Sequence, residues 1–516
     1  MTITRIKPQI QPAQEKRLFS STGRLFIIGF LFVAAFAIRL YHINEPPLDF
    51  HAVRQYHSLI IARGHYVETL TGIPEWRKEV ARISMERQGT WEPHIIESLA
   101  SAAYRLVGGE HFWIPRLLSS IIWLIGGAFL YHIAKQVANQ NAALFSTAFY
   151  LFLPFAVVAS RSFQPDPFMV TGLLAGVFGI LRYYEKPSMP RLLLAATLSG
   201  FAILIKFVAI FVVVGAFVFA GILTQGFWKW AVSRRSMLFL ALSLLPPLIF
   251  YSYQVFISES LQGVARGDIL PHLLLQPFFW KGWLRQIDLV VGYPAWIAAL
   301  LGIFTFRELL ARGLLVGLWA GYLVFGLVFT YTIHTHDYWN LQLVPIVALS
   351  LGPLVALVVT HLLDTHREWR WHAAIGAIGL LALGLSVGIA QNRLSIPGFE
   401  RKVKMAQEIG EQVGHSTDIV YLSGDYGLSL EYHGELSGKP WPLGSDLEWE
   451  QWAGVPTLAA EERFDTWFSK YSPEYFIVED LREFEQQPDL KRFLSKFSIV
   501  SENDDYLIFD LKGRRT

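Results

Sequence analysis

Apolar and polar positions along this chain come in long blocks. Eleven blocks are apolar for most of a membrane-crossing length: residues 25–41, 113–134, 143–160, 167–184, 191–205, 207–225, 237–256, 291–306, 313–333, 340–360 and 372–390. A helix crossing a hydrocarbon core of about 30 Å needs roughly 20 apolar residues, so each block predicts a helical span. The two blocks flanking Lys206 read either as short spans meeting at a tight turn or as one long broken helix. The polar segment 42–112 is no simple linker. Val53, Leu59, Ile60 and Ile61 fall near helical spacing within 50–63, with Arg54 and Arg63 among them, and 93–107 reads as a second amphipathic helix. Such helices can lie flat in the membrane interface. Leu273, Leu274, Leu275, Phe278, Phe279, Trp280 and Trp283 suggest another interfacial segment in 257–290. Beyond residue 390 charge is dense and apolar runs are short. Helices over 399–413, 460–471 and 481–496, with strands over 418–423, 475–480, 498–501 and 506–511, predict a small α/β domain.

Composition sharpens this picture. Of 516 residues, 53% are hydrophobic and only 17% charged, and the mean hydropathy is +0.36. A soluble domain carries about 25% charged residues. The 17 Trp and 20 Tyr suit interfacial belts. The expected fold is therefore a polytopic α-helical membrane protein: an N-terminal tail over 1–24, a multi-span domain over 25–390, and a C-terminal α/β domain over 391–516. A net charge of +2 gives no field for nucleic acid. The absence of cysteine excludes disulfides, thiolate metal sites and cysteine nucleophiles.

The first apolar block follows Arg5, Lys7, Lys16 and Arg17 and is followed by no small-residue cleavage site, so it reads as a retained span. Short loops carry Arg182, Lys186 and Arg191, then Lys229, Arg234 and Arg235, then Arg307 and Arg312, then Arg367 and Arg370. If spans alternate, these loops share the side of the N-terminal tail, and the positive-inside rule makes that side cytoplasmic. The segments 42–112, 257–290 and 391–516 then lie outside a plasma or inner membrane. The basic residues Arg77, Lys78, Arg82 and Arg87 sit in a long loop, where the rule loosens.

Ionisable residues at the outer ends of spans are the candidates for chemistry, because charge at membrane depth is costly. Asp49, His51, Arg54 and Gln55 fall together straight after the first span. A carboxylate or imidazole there can take a proton, and an arginine can clamp a phosphate. Ser160-Arg161 and Asp166-Pro167 lie between the third and fourth spans, where Asp166 also fits a plain helix N-terminus. Glu92 and His94 enter the second amphipathic helix and read as helix initiation or as two metal ligands. The run His334, His336 and Asp337 looks metal-like, with phosphate or sugar binding equally open, while Tyr338 and Trp339 fit an aromatic belt. Lys206 either meets an anionic headgroup or snorkels to the outer surface.

These residues resemble a known group. A basic tail, one span, a long outer loop with an acid near its start, a short acidic second loop, many spans and an external C-terminal domain look like the GT-C membrane glycosyltransferases. The likeness is to glycosyltransferase family 39, the dolichyl-phosphate-mannose-protein mannosyltransferase-like group, with the aminoarabinose transferases of lipid A in the same broad architecture. Arg54-Gln55 followed by Ile60, Ala62 and Arg63 is similar to the family's arginine-containing helix. Glu92-Pro93, Asp166-Pro167, Leu204-Ile205-Lys206, and His336-x-Tyr338 followed by Leu343 and Pro345 match further elements over about residues 20–390. Many members place an acid three residues before the matching arginine. Here that place is His51, and Asp49 lies two residues earlier.

The resemblance implies transfer of a sugar from a polyprenyl-phosphate donor to an extracytoplasmic protein, lipid or polysaccharide, with inversion. It implies Asp49, His51 and Asp166 as catalytic residues and Arg54, Lys206 and Arg161 at the donor phosphate. Gln55, Glu92, His94, His334, His336 and Tyr338 would meet substrate. Asp49 is favoured as base with His51 as its partner, and its position suggests a helix N-cap. No cofactor is expected to be required, although a divalent cation has candidate ligands. A transporter or flippase would also use many spans with embedded charge, but no two-half symmetry is visible. A membrane scaffold binding a partner through its tail is the third class.

The charge asymmetry predicts that residues from about 391 onward lie outside the cytoplasm. A C-terminal reporter active only in the cytoplasm should stay silent, and a bright signal would reverse the topology.

Overall fold

The computed structural model describes residues 18–258, 260–262, 267–366, 368–395, 397–468 and 471–512. Arg5, Lys7, Lys16, Arg17 and Arg367, used above to orient the chain, lie outside them. Among the described residues, seven helices are long and apolar enough to cross a membrane: Ser21–Arg39, Trp113–Val137, Pro165–Glu185, Arg234–Phe256, Leu309–Val328, Leu343–Thr365 and the helix starting at Trp369. The number becomes nine if each of two bent pairs counts as one span. One pair is Gln140–Phe152 with Pro154–Arg161, bent by 61°. Pro154 has no N–H for the preceding turn, so one helix stops and another starts with the proline at its first position. The other is Pro277–Val291 with Tyr293–Thr305, bent by 88° at Gly292. Gly292 has φ +78, a conformation that a side chain would strain. The eighth expected span is thus short, and the amphipathic segment expected before it is the helix Pro277–Val291.

The chain around Lys206 forms two helices rather than one. Met189–Ile205 ends at Lys206, whose backbone is extended, and Ala209–Gln225 follows. At 17 residues each, they are about 25 Å long, short of a full crossing. The first packs mainly on Pro165–Glu185 and Arg234–Phe256, the second mainly on Leu309–Val328. The last contact is backbone on backbone. A Cβ on Gly317 would sit 2.2 Å from the Gly215 carbonyl oxygen. Gly313, Gly317 and Gly321 repeat every fourth residue along that face, as close helix pairs in lipid require.

A second layer covers one end of this bundle. The segment 42–112 contributes three helices, Ala52–Val67, Glu75–Gln88 and Ile95–Val107. The tail contributes a five-stranded sheet of β1 (Ile419–Leu422), β2 (Gly438–Pro440), β3 (Tyr475–Val478), β4 (Ser498–Glu502) and β5 (Leu507–Asp510). The strand order is β2-β1-β3-β5-β4, with β1 parallel to β2 and β3, and β5 antiparallel to β3 and β4. Val420, Leu422, Phe476, Val478 and Phe509 belong to one buried cluster, and Ile419, Tyr421, Ile477 and Ile508 to another. This alternation reflects the period of two along each strand. The helix expected over 481–496 is two, Leu481–Glu485 and Pro488–Leu494, because Pro488 starts a new helix. Glu75–Gln88, Leu428–Gly434, β2 and Gly444–Ala453 were not anticipated.

Loop and tail are docked together. Tyr56 Oη meets His433 Nε2 at 2.8 Å, and the Arg63 guanidinium lies 3.5 Å over the Tyr432 ring. Arg77 pairs with Glu435 at 2.6 Å, and Arg87 donates to the Thr417 carbonyl. Glu431 sits within this junction. It accepts from Tyr421 Oη at 2.7 Å, from the Gly438 N–H at 3.0 Å and from Gln88 Nε2 at 3.4 Å. Burial pushes its carboxyl up to about 7 from an ordinary 4.5, with the Tyr421 and Gly438 hydrogen bonds partly opposing. A raised acid favours the folded state most when protonated, so its contribution is lost as pH rises from about 4.5 through about 7. Glu431→Gln keeps the acceptor oxygen and removes the charge. Its apparent Tm in detergent, relative to wild type, should climb across that interval and level off above it. A difference that shrinks with rising pH would contradict this assignment.

Candidate active site

Two clusters sit where the first outer loop meets the ends of the spans. The first is built on Asp49. The N-cap role expected for Asp49 is corrected by the structure: the helix begins at Ala52 and its N-cap is His51. The Asp49 side chain is instead 4% exposed, paired with Arg116 Nη2 at 2.8 Å and Arg161 Nη2 at 3.2 Å. Arg116 also donates to the His42 and Pro46 carbonyls, and Arg161 to those of Tyr41 and His42. Gln55 is fully buried beside them. Its Nε2 donates to the carbonyls of Phe50 at 2.5 Å and Pro47 at 3.3 Å, and its Oε1 accepts from the Phe163 N–H at 3.2 Å. Asp49, Arg161 and Gln55 thus join one another in anchoring the turn after the first span to Trp113–Val137 and Pro154–Arg161.

The second cluster is a chain of alternating charges. Arg54 Nη2 lies 2.8 Å from Glu92 Oε1, Lys206 Nζ lies 3.9 Å from the same oxygen, and Lys206 Nζ lies 2.7 Å from Asp166 Oδ1. Local structure sets each position. Asp166 is in the first turn of Pro165–Glu185, where the helix dipole favours a carboxylate. Lys206 sits at the C-terminal end of Met189–Ile205, where the dipole favours a cation. Glu92 precedes the helix Ile95–Val107, and Arg54 is in the first turn of Ala52–Val67. All four side chains are almost out of solvent. Burial works against the Arg54 charge, but Glu92, Tyr338 and Asp166 more than offset it, so its pKa lies above the usual arginine value. Aromatic faces complete the walls: Trp91 under Arg54 at 5.1 Å, Trp339 and Tyr338 under Lys206 at 4.8 and 5.3 Å. Two polar atoms, Arg54 Nε and Asp166 Oδ2, have no partner among the described residues.

His51 borders this chain. Its Nε2 is hydrogen-bonded to Asp337 Oδ1, and its ring meets Tyr338 edge-on at 4.5 Å. His336 neighbours Tyr338 at 5.6 Å, and burial, with His51 nearby, pulls its pKa down to about 4, which keeps it neutral. Asp268 is drawn in from the outer loop. Burial pushes its carboxyl up to about 7, with Lys206 opposing. His334 faces elsewhere, with Nδ1 on the Thr330 carbonyl at 2.7 Å and its ring near Phe279. His94 packs against His65 at 5.6 Å. The residues read as possible metal ligands therefore go to separate partners. Among the described residues, no group of three or more His, Asp or Glu side chains is placed to hold a metal ion.

Sequence reasoning found Arg54, Glu92, Asp166, Lys206, His51 and Tyr338, all of which the fold brings together. It missed Arg116 and Asp268, and read Asp337 as part of a metal-like run. Arg116 carried a readable signal, an arginine inside the first turn of an apolar helix.

Residues 92–251 match the family model described as dolichyl-phosphate-mannose-protein mannosyltransferase. No curated protein matches the chain. Among solved structures, ArnT from Cupriavidus metallidurans bound to undecaprenyl phosphate is 14% identical with a TM-score of 0.54, the match covering 95% of this chain and 98% of that one. The archaeal oligosaccharyltransferase AglB from Archaeoglobus fulgidus, in complex with an inhibitory peptide and a dolichol-phosphate, is 13% identical with a TM-score of 0.53, covering 93% of this chain and 73% of that one. A second AglB structure is a complex with Zn and sulfate, at 12% identity and a TM-score of 0.52. The chain is a multi-pass membrane protein that shares its fold with ArnT and AglB, and its residues 92–251 match the mannosyltransferase family model.

Proposed function

We propose that this chain is a glycosyltransferase that moves a sugar from a polyprenyl phosphate to an acceptor on the extracytoplasmic face, where its first outer loop and α/β domain lie. The observation that carries this reading is the Arg54–Glu92–Lys206–Asp166 charge chain, buried at the outer ends of spans and walled by aromatic rings. Direct displacement at an anomeric carbon leaves a phosphate with an added negative charge. Preorganised cations in a water-poor site stabilise such charge as it develops. Arg54 and Lys206 are those cations. The unpartnered Arg54 Nε is a donor that a phosphate oxygen would satisfy. The lipid tail of the donor lies among the spans, and the sugar lies toward Tyr338 and His336. Purified protein incubated with a panel of polyprenyl-phosphate sugars and native membranes as acceptor should release polyprenyl phosphate from at least one donor. Release from none of them would remove this reading.

The resemblance implies a catalytic role for Asp166. Its 2.7 Å pairing with Lys206, both nearly buried, gives it a structural share as well. Removing one member of a buried pair typically costs about 3–5 kcal/mol, whereas replacing both by apolar groups of similar size is often neutral. Asp166→Leu with Lys206→Met should therefore keep an apparent Tm near wild type while transfer falls by orders of magnitude. Normal transfer in that double variant would place the pair outside the mechanism.

The charge that a divalent cation would supply at the phosphate comes here from Arg54 and Lys206, while Glu92, Asp166 and Asp337 are each engaged by a basic group. Transfer should accordingly persist after dialysis against EDTA. A loss reversed by added magnesium or manganese would show that the cations need a metal beside them.

A further inference from the structure

We propose that Asp337 and His51 form a base dyad, in which Asp337 fixes the imidazole and His51 takes the proton of the acceptor hydroxyl. The inference rests on the transferase reading above and deepens it.

The geometry is that of a carboxylate orienting a histidine. Asp337 Oδ1 faces His51 Nε2 within hydrogen-bond distance. A carboxylate only accepts, so Nε2 carries the hydrogen and Nδ1 is left with its lone pair. Nδ1 has no protein partner among the described residues, and the His51 side chain stays 30% exposed, more open than any of the four charges beside it. Three neighbouring acids are committed elsewhere. Asp49 is locked between two guanidiniums, Glu92 holds Arg54, and Asp166, 1% exposed, holds Lys206.

Backbone conformation adds an independent argument. His51 has φ 41 and ψ 66, in the left-handed region. A residue with a Cβ costs about 1–2 kcal/mol there, and glycine would avoid that cost. An imidazole held in this strained position, at the rim of a buried charge cluster, points to a role for the side chain. The ring is held on two further sides, edge-on by Phe50 at 4.6 Å and by Tyr338 at 4.5 Å.

In the step, the acceptor O–H proton moves to His51 Nδ1 as the acceptor oxygen bonds to the anomeric carbon. The bond from that carbon to the phosphate oxygen breaks, and its electron pair leaves with the polyprenyl phosphate, opposite Arg54 and Lys206. The imidazolium so formed is paired with Asp337 and returns its proton to solvent. His51 is the catalytic residue and Asp337 the positioning residue.

The test uses the full chain with a donor that the wild type consumes. His51→Gly suits the backbone, so a purely structural histidine predicts an active and more stable variant. The dyad predicts a kcat lowered by roughly 10²–10⁴-fold, with little change in donor KM and unchanged binding of undecaprenyl phosphate. Asp337→Asn should lower kcat without raising KM, and Asp337→Glu should recover part of the rate. The double variant should be no worse than His51→Gly alone, because the two act as a unit. His51→Gly within about a tenth of the wild-type rate, against a general-base contribution of at least 10²-fold, would overturn the proposal. So would losses that multiply in the double variant. If the wild type consumes no donor at all, the transferase reading fails first, and the dyad falls with it.

Discussion

The site depends on one buried carboxylate. Asp49 sits between Arg116 and Arg161, and each guanidinium reaches past it to backbone carbonyls of residues 41–46. A fully buried triad of this kind is held by the loss that follows removal of any member, which leaves an uncompensated charge in low dielectric. Three chain segments distant in sequence meet there: the turn after the first span, the start of Trp113–Val137 and the end of Pro154–Arg161. Arg39 reinforces the same corner through Ser160 Oγ and the Leu151 carbonyl. With the turn fixed, Gln55 is clamped, the helix Ala52–Val67 has a defined start, and His51 and Arg54 face the ends of the spans.

The second cluster answers a different constraint. Two cations buried without ligand would repel one another and lose hydration. Interleaving them with Glu92 and Asp166 keeps the site nearly neutral at rest. Helix ends help, because Asp166 lies at a positive end and Lys206 at a negative one. In the proposed transfer, a phosphate arriving here would meet cations already oriented, and little reorganisation would be needed as charge develops on it. The break at Lys206 serves this purpose: a continuous helix would carry the ammonium around its axis, while the extended residue lets it bridge two carboxylates.

What could be read from sequence follows from what the solvent enforces. Lipid requires long apolar helices, so the helical spans were visible as blocks, and even the doubtful pair at Lys206 was located correctly. The strands β1, β3, β4 and β5 were visible because their apolar runs are bounded by polar residues. The helix Glu75–Gln88 was not, because only Val80 and Ala81 give its buried face an apolar signal and its polar residues are satisfied by the tail: Arg77 by Glu435, Ser84 by the Leu436 carbonyl, Arg87 by Thr417 and Ser437. The polar cluster near residue 50 was visible, but the partners of its side chains were not. Asp49 and His51 are two residues apart, which invites pairing them. The fold sends Asp49 to arginines 67 and 112 residues away and His51 to an acid 286 residues away. Partners at such separations leave no periodic trace in a single sequence.

The docking of loop on tail has a consequence for the order in which the molecule can be finished. The helices bearing Arg54 and Arg87 make their outward contacts with residues 417–437, through Tyr56 and His433, Arg63 and Tyr432, and Arg77 and Glu435. Those partners are synthesised more than 300 residues after the helices they hold. During translation the loop therefore lacks these partners while the later spans are made. It closes only when the sheet has emerged and folded. Loop and tail therefore reach their final packing together.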